Sequence, residues 1–204
     1  MQQKTINKQG IFYQRWLAKE GKANLIIAHG MAEHAQRYAP LAAALNKANI
    51  NVYAIHHLGH GATIEGVPGH WEHKDFTRCV DNLDQLVGIA LDENPDIPTF
   101  LLGHSMGSFM AQQYIKRFGK HIDGVLLSGS HVANAQFKLG KWAALIIGFF
   151  SFERKPNRLL DALSFGSFNK TFRPNRTKFD WLSRDEAQVD AYVADPLCGF
   201  VCTT

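Results

Sequence analysis

Cysteine is scarce. Cys79, Cys198 and Cys202 are the three in 204 residues, an odd number with no C-x-x-C pair. That excludes a disulfide framework and a zinc ribbon and fits a reducing compartment. Charge of one sign is also lacking: 22 Lys and Arg stand against 18 Asp and Glu, a net charge of +4. With no dense basic stripe interleaved with aromatics, a nucleic-acid partner is not expected. Long hydrophobic runs are missing as well. The longest, residues 142–152, is about half of the ~20 residues that a membrane-spanning helix needs. Residues 1–10 are polar and carry no apolar leader core. No H-E-x-x-H pattern, repeat or low-complexity stretch occurs. These absences together predict a soluble, cytoplasmic chain.

What is present is globular: 46% of residues are hydrophobic and 20% charged, enough apolar material for one core. Up to about residue 130 two kinds of segment alternate. Short apolar runs at 24–30, 50–56, 99–104 and 124–129 end in glycine or polar clusters, as strands buried on both faces do. Between them, residues 33–47, 75–91 and 106–118 carry apolar residues at helical spacing. Strand and helix in alternation imply right-handed crossovers and a mainly parallel sheet covered on both faces, an α/β fold. Residues 10–17 read as an edge strand. After Ser130 the rhythm breaks. Between 131 and 178 nine Lys and Arg face only Glu153 and Asp161, and the segment reads as short helices and loops. The expected division is a core over 1–130 and a helical cap over 131–204.

The chemistry-bearing pattern is Gly103-His104-Ser105-Met106-Gly107, a G-x-S-x-G directly after a strand run and before a helical one. Strand–turn–helix is the context in which such a serine becomes a nucleophile. A turn this tight strains the serine backbone, and the flanking glycines remove β-carbons that would collide. The hydroxyl is lifted above the sheet's C-terminal edge, beside the positive end of the next helix. A serine nucleophile also needs two donors for the developing oxyanion. The Met106 amide is one; the Met31 amide, on the His29-Gly30 turn that follows the first buried run, is the other.

With these residues in hand, the chain resembles the monoacylglycerol lipase and lysophospholipase branch of the α/β-hydrolase superfamily, which includes serine aminopeptidase-like proteins. The matching pieces are HGMAEHAQRY (29–38), HHLGHG (56–61), FLLGHSMGS (100–108), DGVLLSGS (123–130) and WLSRDEAQVDAYVADPLCGF (181–200). The resemblance implies hydrolysis of acyl esters through an acyl-enzyme on Ser105, Met31 and Met106 as oxyanion donors, a cap over the site and no cofactor. The substrate it implies is a lipid or small ester, with Phe109, Phe137 and Trp142 as candidates to line an apolar slot. His56 stands where the family usually carries Asp.

A serine needs a histidine base, oriented by an acid, and in this fold both follow the serine in the chain. After Ser105 only His121 and His131 remain. His121 precedes the 124–129 run and is expected at the opposite edge of the sheet, ~20 Å from Ser105 at 3.3 Å per residue. His131 emerges at the correct edge, but Asp123 lies at the far end of the same strand. The expectation is a chain that lacks the triad acid and histidine, the N-terminal two-thirds of a hydrolase. A catalytically incomplete hydrolase or hydrolase-like binding module is the second reading. A metal site on His56, His57 and His60, or on His70 and His73, is a third, disfavoured because most of these histidines fall inside the hydrolase match. The apolar run 142–150, flanked by Lys138, Lys141, Arg154 and Lys155, allows peripheral contact with an anionic membrane.

Overall fold

The computed structural model describes residues 1–6, 10–132 and 155–203. Phe137, Trp142 and the apolar run at 142–150 fall outside them. Six strands form one sheet: β1 (Gln2–Thr5), β2 (Phe12–Trp16), β3 (Ala23–Ala28), β4 (Ile50–Ile55), β5 (Thr99–His104) and β6 (Gly124–Ser128). Their spatial order is β1-β2-β4-β3-β5-β6. The four short apolar runs are the parallel strands β3 to β6, while β1 and β2 pair antiparallel on one side; β6, expected to be buried on both faces, is instead largely exposed. This is the mainly parallel sheet that the alternation predicted. The run at 10–17 is not an edge, however. The polar strand β1 covers it, with Gln2 opposite Arg15 and Thr5 opposite Phe12.

Helices α1 (Ala39–Lys47), α2 (Asp75–Glu93) and α3 (Met106–Phe118) cover the sheet. Strand alternation divides the core between its two faces. Ile26, Ala28, Tyr53, Ile55 and Leu101 pack on α2 and α3 through Leu83, Leu86, Val87, Met110 and Tyr114. Ile27, Val52 and Ala54 pack with Trp16 against Ala42 of α1. The helix expected from residue 33 starts later: Ala35–Tyr38 is a 3-10 turn, and α1 begins at Ala39 with Pro40 in its first turn, where the missing N–H costs nothing. Further on come α4 (Arg158–Phe165) and α5 (Glu186–Ala194), each capped by the side chain of the preceding residue, Asn157 or Asp185.

The chain runs from β3 outward to β4, then crosses back to β5 on the other side of β3. The direction of winding therefore reverses between β3 and β5, and crevices at such reversals, outside the strands' C-terminal ends, are where ligands bind in open α/β sheets.

Candidate active site

Ser105 stands at that reversal. Ala28 is in register with Gly103, which sets the turn after β3 beside the turn after β5. Ser105 has φ 50° and ψ −117°, a strained conformation for a residue with a β-carbon. The surroundings over-determine it. Its N–H donates to the Ser128 carbonyl at 2.9 Å, and its own carbonyl accepts from the Ser108 N–H and hydroxyl at 2.8 and 2.6 Å. A β-carbon at Gly103 would meet the Gly107 carbonyl oxygen at 2.5 Å, and one at Gly107 would overlap the Ala28 carbonyl outright. Both glycines are thus required by backbone contacts, as the motif predicted. Among the described residues the Ser105 hydroxyl has no hydrogen-bond partner. Met106 opens α3 and is buried, so its amide lies in the helix's first turn, at the positive end of the dipole.

The turn after β3 closes on the serine from the other side: a β-carbon at Gly30 would lie 3.3 Å from Ser105 Cβ and 3.4 Å from the His104 ring. His29 is fully buried. Its Nε2 accepts the His57 N–H at 3.2 Å and its Nδ1–H donates to the Gly30 carbonyl at 2.7 Å. Burial first, then the neighbouring rings of His57 and His60, hold its pKa well below the ordinary imidazole range, so the ring is neutral. Because a trans peptide carries C=O and N–H on opposite sides, fixing the Gly30 carbonyl on His29 turns the Met31 N–H away from that ring. The Met31 side chain is exposed. His104 Nδ1 lies 3.1 Å from the Ser128 hydroxyl. Phe109, one helical turn beyond Ser105, packs edge-on against the ring of His131 with centroids 5.3 Å apart.

Sequence reasoning missed Glu33. Its buried carboxylate accepts the Gly30 N–H at 2.6 Å and the Tyr38 hydroxyl at 3.0 Å, and pairs with Arg37. The Glu33–Arg37 spacing of four reads as an ordinary helical ion pair and does not point to the Gly30 N–H. Also missed was the docking of α5 and the segment behind it. The Tyr192 hydroxyl and the Gly199 N–H both donate to the Ala32 carbonyl at 2.9 Å, and the Arg37 guanidinium lies over the Tyr192 ring.

The histidines after Ser105 are placed as the sequence suggested. His121 is paired with Asp84 at 2.8 Å, beyond the opposite edge of the sheet. Asp123 accepts the Thr99 N–H at the start of β5. His131 is at the correct edge, where its Nδ1 lies 2.9 Å from the Val132 carbonyl. Among the described residues His56, His57 and His60 do not come together as a set of ligands. His56 stacks on His34 and accepts the Ala62 N–H, and His70 Nδ1 meets the Thr203 hydroxyl. Among the described residues the one set of three ligating groups brought together is His34, Asp195 and Cys198. No helix among them is long and apolar enough to cross a membrane.

The chain matches the serine aminopeptidase S33 family over residues 19–204. It is 31% identical over 188 residues to a monoacylglycerol lipase of Mycolicibacterium smegmatis, covering 92% of this chain and 60% of that protein. It is 32% identical over 179 residues to the monoglyceride lipase of Rattus norvegicus, covering 86% of this chain and 52% of the relative. The chain thus spans about half to 60% of the length of these relatives. Its fold resembles that of a thermostable carboxyl esterase from Bacillus coagulans, with a TM-score of 0.85 at 24% identity over 98% of this chain and 67% of that one. A strained serine at the β5–α3 turn, the turn after β3 closed against it and a family match across nine-tenths of the residues lead to one assignment: this chain belongs to the serine aminopeptidase S33 family of α/β-hydrolases, in its monoacylglycerol lipase-like branch.

Proposed function

We propose that the chain is a serine hydrolase of carboxylic esters, acting through an acyl-enzyme on Ser105, with a monoacylglycerol or lysophospholipid as substrate. The observation that carries this reading is Ser105 itself, held at φ 50° over the first turn of α3 and against Gly30. The Ser105 hydroxyl oxygen attacks the ester carbonyl and its proton passes to a histidine base. The Met31 and Met106 amides stabilise the oxyanion, each worth about 3 kcal/mol of barrier. The alcohol leaves, and water then releases the acid from the acyl-enzyme. Residues 1–130 form the core and 131–204 the cap, whose apolar and basic residues favour lipid at a membrane surface. Phe109 borders the acyl slot; Phe137 and Trp142, the other two candidates for that role, lie outside the described residues. No cofactor takes part in these steps.

One observation favours a second reading, a catalytically incomplete hydrolase or hydrolase-like binding module: His121 is committed to Asp84, beyond the edge of the sheet opposite Ser105. Fluorophosphonate labelling of the 204-residue chain, read by intact mass with Ser105→Ala as control, separates the two. Stoichiometric labelling that the substitution abolishes supports an activated Ser105, with its base drawn from His131 or a second copy. A folded chain that takes no label supports the second reading, a catalytically incomplete hydrolase.

A further inference from the structure

The side chains of His34, Asp195 and Cys198 converge from opposite ends of the sequence, and their ligating atoms all lie within 4.8 Å of one another. We propose that these three residues form a binding site for a zinc-class divalent cation, which fastens the segment after α5 to the loop after β3.

The donor set selects the cation. One imidazole, one carboxylate and one thiol is a borderline-soft combination that suits zinc, whereas magnesium and calcium take oxygen ligands. Three protein ligands leave a fourth tetrahedral position for water. The charges balance: the Asp195 carboxylate and a Cys198 thiolate together neutralise a dication, while the adjacent Glu33 and Arg37 neutralise each other. On binding, a metal–sulfur bond replaces the Cys198 S–H bond and the proton leaves to solvent.

The site is also built. His34 is buried, with its ring stacked on His56 at an interplanar angle of 11°. Its Nε2 lies 2.8 Å from Asp195 Oδ2, while its Nδ1 is buried and has no hydrogen-bond partner among the described residues. In the metal-free chain Nε2–H donates to Asp195 Oδ2; on metal binding the ring changes tautomer, the proton moving to the partnerless Nδ1 while Nε2 turns its lone pair to the ion. Asp195 is oriented from behind, where its Oδ1 accepts the Leu197 N–H at 2.8 Å, and the Cys198 N–H donates to the Asp195 carbonyl at 3.0 Å. These contacts aim Oδ2 and hold the D-x-x-C turn in place, the outer-sphere support that metal sites use. Tetrahedral bonds of about 2.0–2.3 Å put ligand atoms roughly 3.3–3.6 Å apart, so shifts of about 1 Å admit the ion. The Asp195 side chain, 30% exposed, leaves the way open to solvent.

The test uses the 204-residue chain stripped of metal and titrated with cobalt(II), then with zinc in competition against a chromophoric chelator. One cation binds per chain, cobalt gives a near-ultraviolet sulfur-to-metal charge-transfer band, and zinc raises the melting temperature. Cys198→Ser abolishes the band and weakens zinc by about 100-fold or more, beyond the usual cost of losing an outer-sphere partner. Cys202→Ser leaves both readings unchanged. Asp195→Asn keeps the shape of the site and its turn, so it gives a folded second variant, with zinc weakened by at least about tenfold. A chain with no charge-transfer band, a band that survives Cys198→Ser, or one that disappears with Cys202→Ser overturns the proposal. None of these readouts depends on Ser105 being a nucleophile.

Discussion

At Gly107 a single absent carbon decides whether β3 and α3 can meet, because a β-carbon there would occupy the position of the Ala28 carbonyl and reach the His29 carbonyl at 2.6 Å. Both obstacles are backbone, so no side chain can rotate away. Gly107→Ala is expected to destabilise the chain by about 3 kcal/mol, the upper end of the range for overpacking, with a lower urea midpoint at unchanged slope. Gly88, within α2, is the internal contrast, since a β-carbon there would meet nothing within 4 Å. Gly88→Ala should stabilise by about 0.5–1 kcal/mol through helix propensity alone. If the two substitutions fall on the same side of wild type, close approach is not what the Gly107 position selects. The elbow was legible in the sequence because its causes are local: a strand, two glycines and a helix within six residues. Glu33 was not, because its task is to turn back and accept the Gly30 N–H, and nothing in a helical period distinguishes that from a solvent-facing acid.

The loop between β4 and α2 shows what an element can bury. His56, His57 and His60 lie here beneath His29, with the His29 and His57 ring centroids 4.3 Å apart. Desolvation is the main cause holding all four rings neutral, bringing His56 and His60 down to about 4 and His29 and His57 well below the ordinary range. In the unfolded chain each would protonate near pH 6.5. Between about pH 6.5 and 4 the unfolded state therefore binds more protons, so stability is complete above that window and is lost as pH falls through it. Each ring adds up to about 1.4 kcal/mol per pH unit to the slope. Urea midpoints should hold level from pH 8 to 7 and drop steeply from 6.5 to 5.5, and His56→Gln should make that drop shallower. A midpoint flat down to pH 5.5 would mean that the rings protonate without unfolding. At this scale the sequence was legible where periodicity was strong, as in β3 to β6, α2 and α3. It misled at residue 33, where a helical spacing conceals a 3-10 turn that ends at Tyr38, before α1, and at β1, whose polar residues give no strand signal although the pairing covers β2.

Across the whole molecule the two sides of the sheet are unequal. On one, β1 and β2 close the parallel strands with polar and mixed residues; on the other, β6 carries Val125, Leu126 and Leu127 at 37%, 49% and 44% exposure and, among the described residues, pairs with β5 alone. A strand of this composition belongs inside a parallel sheet, and exposed as an edge it offers both apolar side chains and unpaired backbone groups to another strand. The docking of α5 on Ala32 and Arg37 does not relieve this, because it lies over the turn after β3. Nor did the alternation of strands and helices reveal it, since that pattern specifies which segments are strands and leaves the occupant of each flank open. The 204-residue chain is accordingly expected to self-associate through β6, with sedimentation velocity showing a dimer fraction that grows with concentration. Leu126→Lys places a charge on the edge and withdraws a leucine worth about 1.5–3 kcal/mol of burial. It should raise the concentration of half-association by about tenfold or more, while the urea midpoint of the dilute monomer stays near wild type because the side chain is half exposed there. A chain that remains monomeric at every concentration, or an association indifferent to Leu126→Lys, would place the contact away from β6.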